Sequence, residues 1–160
     1  MSRSEGNGAI VFAFFVAYLL AITTLPHLLE FLRPEWVALL VVYWVIAIPH
    51  RVGVIVAWFV GLFHDVLVGA VLGQHAMSLA ILAYITFVLH MRIRVFPMWQ
   101  QSLSVLLLVG VYLLSMLIIQ RTVTLSHWTL WYWLPAVSSA LVWPWIVLPL
   151  RWLRKQYGVN

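Results

Sequence analysis

The sequence contains no cysteine and few charged residues. Without cysteine, disulfide bonds and thiolate metal sites are excluded. Charged residues make up 8 % of the 160 residues and hydrophobic residues 65 %, whereas a soluble domain carries about 25 % charged residues. Too little polar surface is present to cover a water-facing exterior, and the high hydrophobicity also excludes intrinsic disorder. The composition therefore predicts an integral membrane protein with almost no mass outside the bilayer.

The chain also lacks any polar run long enough to fold on its own. Charges, prolines and polar clusters divide it into six apolar segments, and a membrane-spanning helix needs about 20 residues. We therefore predict an all-α integral membrane protein, a single domain over residues 1–160 with six transmembrane helices. The second and fourth segments are short and are expected to extend into their flanks, to tilt little or to thin the bilayer locally. The approximate bounds of the six segments are 9–25, 34–48, 52–72, 75–89, 98–119 and 131–150.

The charge distribution predicts the orientation of the chain. The net charge is +5, which in a soluble chain would suggest nucleic acid as a partner. Here the basic residues stand mostly between apolar runs, so the positive-inside rule explains them better, and no nucleic-acid partner is expected. With both termini in the cytoplasm, only Arg33 and Arg121 lie outside. Seven basic residues then lie inside, namely Arg3, Arg51, Arg92, Arg94, Arg151, Arg154 and Lys155. The last three form a basic end that is expected to attract anionic membrane lipids.

One acidic residue, Asp65, lies inside an apolar segment. A carboxylate at the centre of a bilayer costs roughly 2.5–3.5 kcal/mol on insertion scales, so a pairing partner or a functional role is expected. Asp65 belongs to a series of mostly small residues at every fourth position, namely Gly53, Ala57, Gly61, Asp65, Gly69 and Gly73. On one helix these residues share a face, and small residues let a second helix approach closely. The series predicts a helix-docking surface, whose docked helix belongs either to the same chain or to another protein.

The sequence predicts neither catalysis nor a cofactor nor a metal site. Five of the six histidines lie near predicted span ends, where an interfacial position is the ordinary explanation, and only His64 lies deeper. No nucleophile motif surrounds any serine. Serine in a membrane helix more often forms hydrogen bonds between helices. The absence of a catalytic constellation disfavours a membrane enzyme.

Several residues are predicted to mark the boundaries or the shape of the helices. Pro34 is expected in the first turn of the second helix, where proline is well tolerated. Pro49 is expected to stop that helix, and Arg51 to anchor the following turn at the lipid headgroups. Pro144 lies in the middle of the sixth segment, where proline is expected to kink the helix.

Taken together, these motifs resemble the MreD family of bacterial rod shape-determining proteins. The likeness covers most of the chain from about Phe31 onward, although residues 103–130 carry no matching motif. The matching elements are Arg33-Pro34-Glu35-Trp36, Tyr43-Trp44, Pro49-His50-Arg51, the spacing of Gly61, Asp65, Gly69 and Gly73, Trp99-Gln100-Gln101, and Trp143-Pro144-Trp145 followed by the basic end.

The resemblance implies a non-catalytic subunit of the cell-elongation complex in the bacterial inner membrane. Such a subunit docks MreC and helps organise lateral peptidoglycan synthesis by RodA and the transpeptidase PBP2, with the MreB filament reached through the complex. The implied fold is similar to the substrate-binding subunits of energy-coupling factor transporters. The face around Asp65 is then the expected packing site, with Arg33 and Arg51 in boundary motifs. The alternative is a small-solute-binding membrane subunit of a transporter.

Overall fold

The chain folds into six α-helices. The structure, a computed structural model, describes residues 3–124 and 129–158, with side chains from residue 6 onward. Within these ranges it contains no β-strand, and short 3-10 turns cover Glu30–Leu32 and Leu130–Trp133. The predicted all-α architecture with six helices is confirmed. The helices are α1 (Arg3–Ile22), α2 (Trp36–Ala47), α3 (Val54–Val68), α4 (Gln74–Val95), α5 (Met98–Val123) and α6 (Leu134–Gln156).

Three helical segments are long and apolar enough to cross a bilayer, namely Gln74–Val95, Met98–Val123 and Leu130–Gln156. They indicate a membrane protein. In α1, α2 and α3 the apolar segment is shorter than in these three. α2 has 12 residues and is about 18 Å long at 1.5 Å per residue, less than the roughly 30 Å of a hydrocarbon core. That α1, α2 and α3 also span the membrane stays a prediction.

The helix ends differ from the predicted spans for local reasons. α3 ends at Val68 and does not continue to residue 72, because Gly69 adopts the left-handed conformation with φ +67° and terminates the helix. α4 continues past residue 89 to Val95 and ends there because Pro97 disfavours a helical conformation for Phe96, whose backbone is extended. Arg92 and Arg94 lie in its last turn, where basic residues stabilise a helix.

The placement of Pro34 in the first turn of the second helix is wrong. α2 begins at Trp36, and Glu35 is its N-cap, so Pro34 lies in the extended segment before the helix. The backbone N–H of Trp36 donates to the carbonyl oxygen of Pro34 at 3.0 Å. α6 continues without a break through Pro144, and a bend there stays a prediction.

α2 is the central helix of the bundle. Every residue from Val37 to Val45 is buried, and α1, α4, α5 and α6 all pack against this helix. A helix that is hydrophobic on all sides is typical of a protein core or a membrane span. α3 packs mainly against α4, which continues the row of neighbours α4–α5–α6.

The bundle has two chemically different ends. The ends of α2, α4 and α6 and the start of α5 meet at one of them, which we call the basic end because Arg94, Arg151, Arg154 and Lys155 lie there. The end of α3 and the start of α4 meet around Asp65, and we call this the Asp65 end.

Candidate functional site

The Asp65 carboxylate binds the first turn of α4. Asp65 is 1 % exposed and lies in the last turn of α3. Its Oδ1 accepts the backbone N–H of His75 at 2.8 Å and lies 2.7 Å from the ring Nδ1 of His75, within hydrogen-bond distance. Its Oδ2 accepts the backbone N–H groups of Gly73 at 2.9 Å and of Ala76 at 3.3 Å. Because the first N–H groups of a helix have no partner within it, the start of a helix is a natural anion site.

A tight turn brings α3 and α4 together. Gly69 ends α3 and Gly73 is the N-cap of α4, and both have positive φ angles, +67° and +98°. Glycine adopts this conformation without steric penalty. The placement of these two glycines on one helix face with Gly61 and Asp65 is therefore wrong. They make the turn that returns the chain to Asp65.

At Gly61 the backbone of α4 lies very close to α3. A Cβ atom at this position would be 2.5 Å from Ala76 Cα and 2.6 Å from both Ala76 N and the carbonyl oxygen of His75. Ala57, one turn earlier, is also fully buried. The sequence left open which helix docks on this face, and the structure places α4 of the same chain there.

An aromatic contact joins α1 to the same cluster. The Tyr18 hydroxyl donates to the carbonyl oxygen of Val60 at 2.6 Å. The Tyr18 ring stacks on His64 at a centroid distance of 5.7 Å, and His64 meets His75 edge-on at 4.5 Å. In the described part of the chain, no group of three His, Cys, Asp or Glu side chains could hold a metal ion. The cluster therefore links three helices through hydrogen bonds and ring contacts.

Sequence reasoning missed the roles of His75 and Tyr18. From the sequence, His75 is an ordinary interfacial histidine near the end of a predicted span. Its position two residues after Gly73 was the available signal, because a residue there contributes a free N–H to the start of a helix. Nothing in the sequence around Tyr18 indicated its bond to α3.

The boundary residues bind other helices. Arg33 Nη2 donates to the carbonyl oxygen of Leu20 at 2.9 Å, in the last turn of α1, where a cation is favourable. The backbone N–H of Glu35 donates to Ser139 Oγ of α6 at 3.0 Å. Burial raises the pKa of the Glu35 carboxyl from 4.5 to about 7, although the charge of Arg33 opposes this rise. This junction fixes the entry of α2 between α1 and α6.

Arg51 and Pro49 form the turn between α2 and α3. Pro49 follows Ile48, the C-cap of α2, and the backbone N–H of Arg51 donates to the carbonyl oxygen of Ile48 at 3.0 Å. Among the hydrogen bonds of the described residues, Asp65 has none with Arg33 or Arg51.

An apolar groove of about 500 Å³ lies between α1 and α6. Its lining extends from Leu20 and Trp36 at the Asp65 end to Leu153 near the basic end. Ala13 and Ala17 are small residues one helical turn apart within it, and Trp145 is a large aromatic lining residue. The groove can therefore accept an elongated apolar structure.

The chain is similar to known proteins over almost its whole length. The family model of the rod shape-determining protein MreD matches residues 2–153. The rod shape-determining protein MreD of Haemophilus influenzae is 32 % identical over 150 residues, which cover 92 % of this chain and 91 % of that protein. No solved structure matches, so the expected likeness to energy-coupling factor subunits has no structural support.

Proposed function

Because the chain belongs to the MreD family of rod shape-determining proteins, we propose that it is a non-catalytic scaffold subunit of the bacterial cell-elongation complex. The observation that carries the proposal is the family match over residues 2–153, which includes nearly all of every described helix. The family is a shape-determining one, and the match favours this function over a small-solute-binding transport subunit. The excess of basic residues on one side supports a location in the inner membrane with both termini in the cytoplasm.

In this proposal the scaffold docks a membrane-spanning helix of MreC. The face around Gly61 supports this only indirectly, because α4 already occupies it. The groove between α1 and α6 is the surface that suits an external helix. It extends along both helices, and Ala13 and Ala17 would let a second backbone approach closely. RodA, PBP2 and the MreB filament then join through the complex.

Cross-linking tests the docking surface. Because the chain has no cysteine, each single-cysteine variant carries one reactive thiol. Val16 lines the groove, whereas its neighbour Phe15 is 58 % exposed and does not line it. Val16→Cys is expected to form a disulfide with a cysteine placed in the membrane helix of MreC, and Phe15→Cys is not. Equal cross-linking from both positions, or none from Val16→Cys, would contradict docking in the groove.

A pull-down from native membranes in mild detergent tests the wider function. The wild-type chain is expected to bring down MreC and the synthase. Asp65→Asn is expected to bring down less of both, because it weakens the contact between α3 and α4, and α3 is bonded to α1, which lines the groove. Recovery of an ATP-driven transporter module instead, or of only a small molecule, would replace the scaffold proposal by the transport alternative.

A further inference from the structure

A second cavity lies at the basic end of the bundle. Its volume is about 240 Å³, and residues of α2, α4, α5 and α6 line it. Four of the lining residues are cations: Arg94, Arg151, Arg154 and Lys155. They come from the ends of two helices that are far apart in sequence, so the fold gathers them at one place.

Three hydrogen bonds hold one polar side chain, Gln101, in the wall of this cavity. The Gln101 side-chain amide donates to the carbonyl oxygens of Ile93 at 3.2 Å and Phe96 at 3.1 Å, and its oxygen accepts the indole N–H of Trp143 at 3.4 Å. These bonds join the end of α4, the start of α5 and the middle of α6. The Gln101 side chain therefore has a fixed position in the wall.

One buried polar group in the wall, the Tyr43 hydroxyl, lacks a hydrogen-bond partner among the described residues. Tyr43 is 5 % exposed, lines the cavity, and its hydroxyl forms no hydrogen bond among the described residues. A buried hydroxyl without a partner is unfavourable, and an acceptor within the cavity would satisfy it. Arg151 and Arg154 line the same cavity as Tyr43. The donor and the two cations therefore face the same space.

The charges around the cavity are not balanced by acids in the described part of the chain. Glu30, Glu35 and Asp65 precede α2 or end α3, which places them toward the Asp65 end. Glu5 lies outside the described side chains. Guanidinium groups match the geometry of phosphate oxygens and bind them with two parallel hydrogen bonds. The cavity thus has the chemistry of a phosphate site.

We propose that this cavity binds the phosphate group of an anionic phospholipid, one molecule for each chain. A lipid is the favoured source of the phosphate because the cavity lies at the ends of membrane-crossing helices, where headgroups lie. Apolar residues such as Ile46, Ala47 and Val147 also line it beside the cations, which suits the glycerol part of a lipid. This is a defined binding site, in contrast to the general attraction of basic residues to an anionic surface.

Native mass spectrometry of the full-length protein in a neutral detergent tests the proposal, with phosphatidylglycerol as the probe and phosphatidylcholine as the uncharged reference. One phosphatidylglycerol is expected to remain bound in preference to phosphatidylcholine. Arg94→Gln is expected to weaken this binding about tenfold, equivalent to about 1.4 kcal/mol. Tyr43→Phe removes only the hydroxyl and is expected to weaken binding about threefold.

Arg92→Gln is the matched control. Arg92 lies on the same last turn of α4 and is equally a surface cation, but it does not line this cavity. Arg92→Gln is expected to retain wild-type binding. Equal weakening by Arg92→Gln and Arg94→Gln would overturn the site in favour of general charge attraction. Unchanged binding in both Arg94→Gln and Tyr43→Phe would also overturn it.

Two further probes distinguish other sources of the anion. Inorganic pyrophosphate is expected to compete only weakly with the lipid, and stronger binding of pyrophosphate than of phosphatidylglycerol would reassign the cavity to a soluble phosphate compound. A glutamate-rich peptide is expected not to displace the lipid. Displacement by this peptide at lower concentration than by free lipid would reassign the cavity to a protein partner.

Discussion

At the residue scale, Asp65 shows how an acidic side chain is accommodated in an apolar chain. Its two oxygens receive three backbone N–H groups and one imidazole nitrogen, all from residues 73–76. Hydrogen bonds to a charged group are stronger than neutral ones. The carboxylate therefore supplies the acceptors that the first N–H groups of α4 lack within their own helix. It joins α3 to α4 and needs no charged residue from another helix.

Replacement of Asp65 is expected to destabilise the protein. Asp65→Ala leaves the N–H groups of Gly73, His75 and Ala76 without an acceptor in a buried place, and a loss of about 3 kcal/mol is expected. Asp65→Asn keeps one acceptor oxygen and is expected to lose less. Thermal unfolding in mild detergent measures the order of the variants, and amide hydrogen exchange at residues 73–76 locates the effect.

Glu30→Gln is the control for this prediction, because Glu30 is an exposed acid at the start of a 3-10 turn. It is expected to leave the unfolding temperature unchanged. In cells, Asp65→Ala as the sole copy is expected to insert into the membrane but to fail to maintain rod shape. Wild-type stability and normal rod shape of Asp65→Ala would show that the bonds to α4 are dispensable.

The sequence identified Asp65 but not its partners. A single acidic residue within a run of apolar residues is visible in the sequence itself. Its bond to His75 depends on the turn at Gly69 and Gly73. The four-residue spacing does not reveal this turn, because the helical pattern continues through both glycines. Periodicity predicts a shared face only where the helix continues, and a glycine can either continue a helix or end it.

At the element scale, the contact between α3 and α4 depends on one position without a side chain. At Gly61 the two backbones approach each other so closely that a Cβ atom built there would lie 2.5 Å from Ala76 Cα of α4. The neighbours of that atom are backbone atoms of α4, which cannot move independently of the helix. The size of residue 61 therefore sets the distance between the two helices.

Gly61→Ala is expected to destabilise the protein by about 1–3 kcal/mol, because an added methyl group must push α4 away from α3. Gly110→Ala is the matched control in α5, since no atom lies within 4 Å of a Cβ atom there. Alanine favours a helix over glycine by about 1 kcal/mol, so Gly110→Ala is expected to be neutral or stabilising. The midpoints of unfolding in detergent are compared for the two variants. A stabilising effect of Gly61→Ala would contradict the close approach of α4 to α3.

Helix type was more predictable than helix extent. The start of α5 at Met98 agrees with the sequence, because Pro97 sets a clear boundary. The extension of α4 to Val95 was missed because Arg92 and Arg94 resemble the end of a membrane span. They are charged, but charge at the end of a helix does not end its hydrogen bonding.

At the scale of the whole molecule, Glu35 lies where three helices meet. It is half-buried, its backbone binds Ser139 of α6, and Arg33 beside it binds the end of α1. The central position of α2 behind this junction was not predictable, because hydropathy does not distinguish a helix surrounded by protein from one surrounded by lipid.

The stability of the protein is expected to fall as the pH rises through about 7. The folded state raises the pKa of Glu35 from 4.5 to about 7, so folding favours the protonated carboxyl. The stabilising effect is complete below pH 4.5 and is lost above the folded pKa. Glu35→Gln is expected to remove this part of the pH dependence. The free energy of unfolding is measured at pH 5 and at pH 8 for each variant. Glu30→Gln is expected to retain the wild-type difference between the two values.

The bond between Asp65 and α4 also bears on how the chain enters the membrane. α3 has 15 residues, about 22 Å at 1.5 Å per residue, and carries a carboxylate that is unfavourable in lipid. Alone it is a poor insertion segment, whereas α4 is long enough to span. In a glycosylation-reporter assay, α3 is expected to insert efficiently only when residues 74–95 follow it, and equal insertion without them would contradict this. The two helices are thus expected to enter the bilayer together, because the backbone N–H groups that bind the Asp65 carboxylate follow it by only eight to eleven residues.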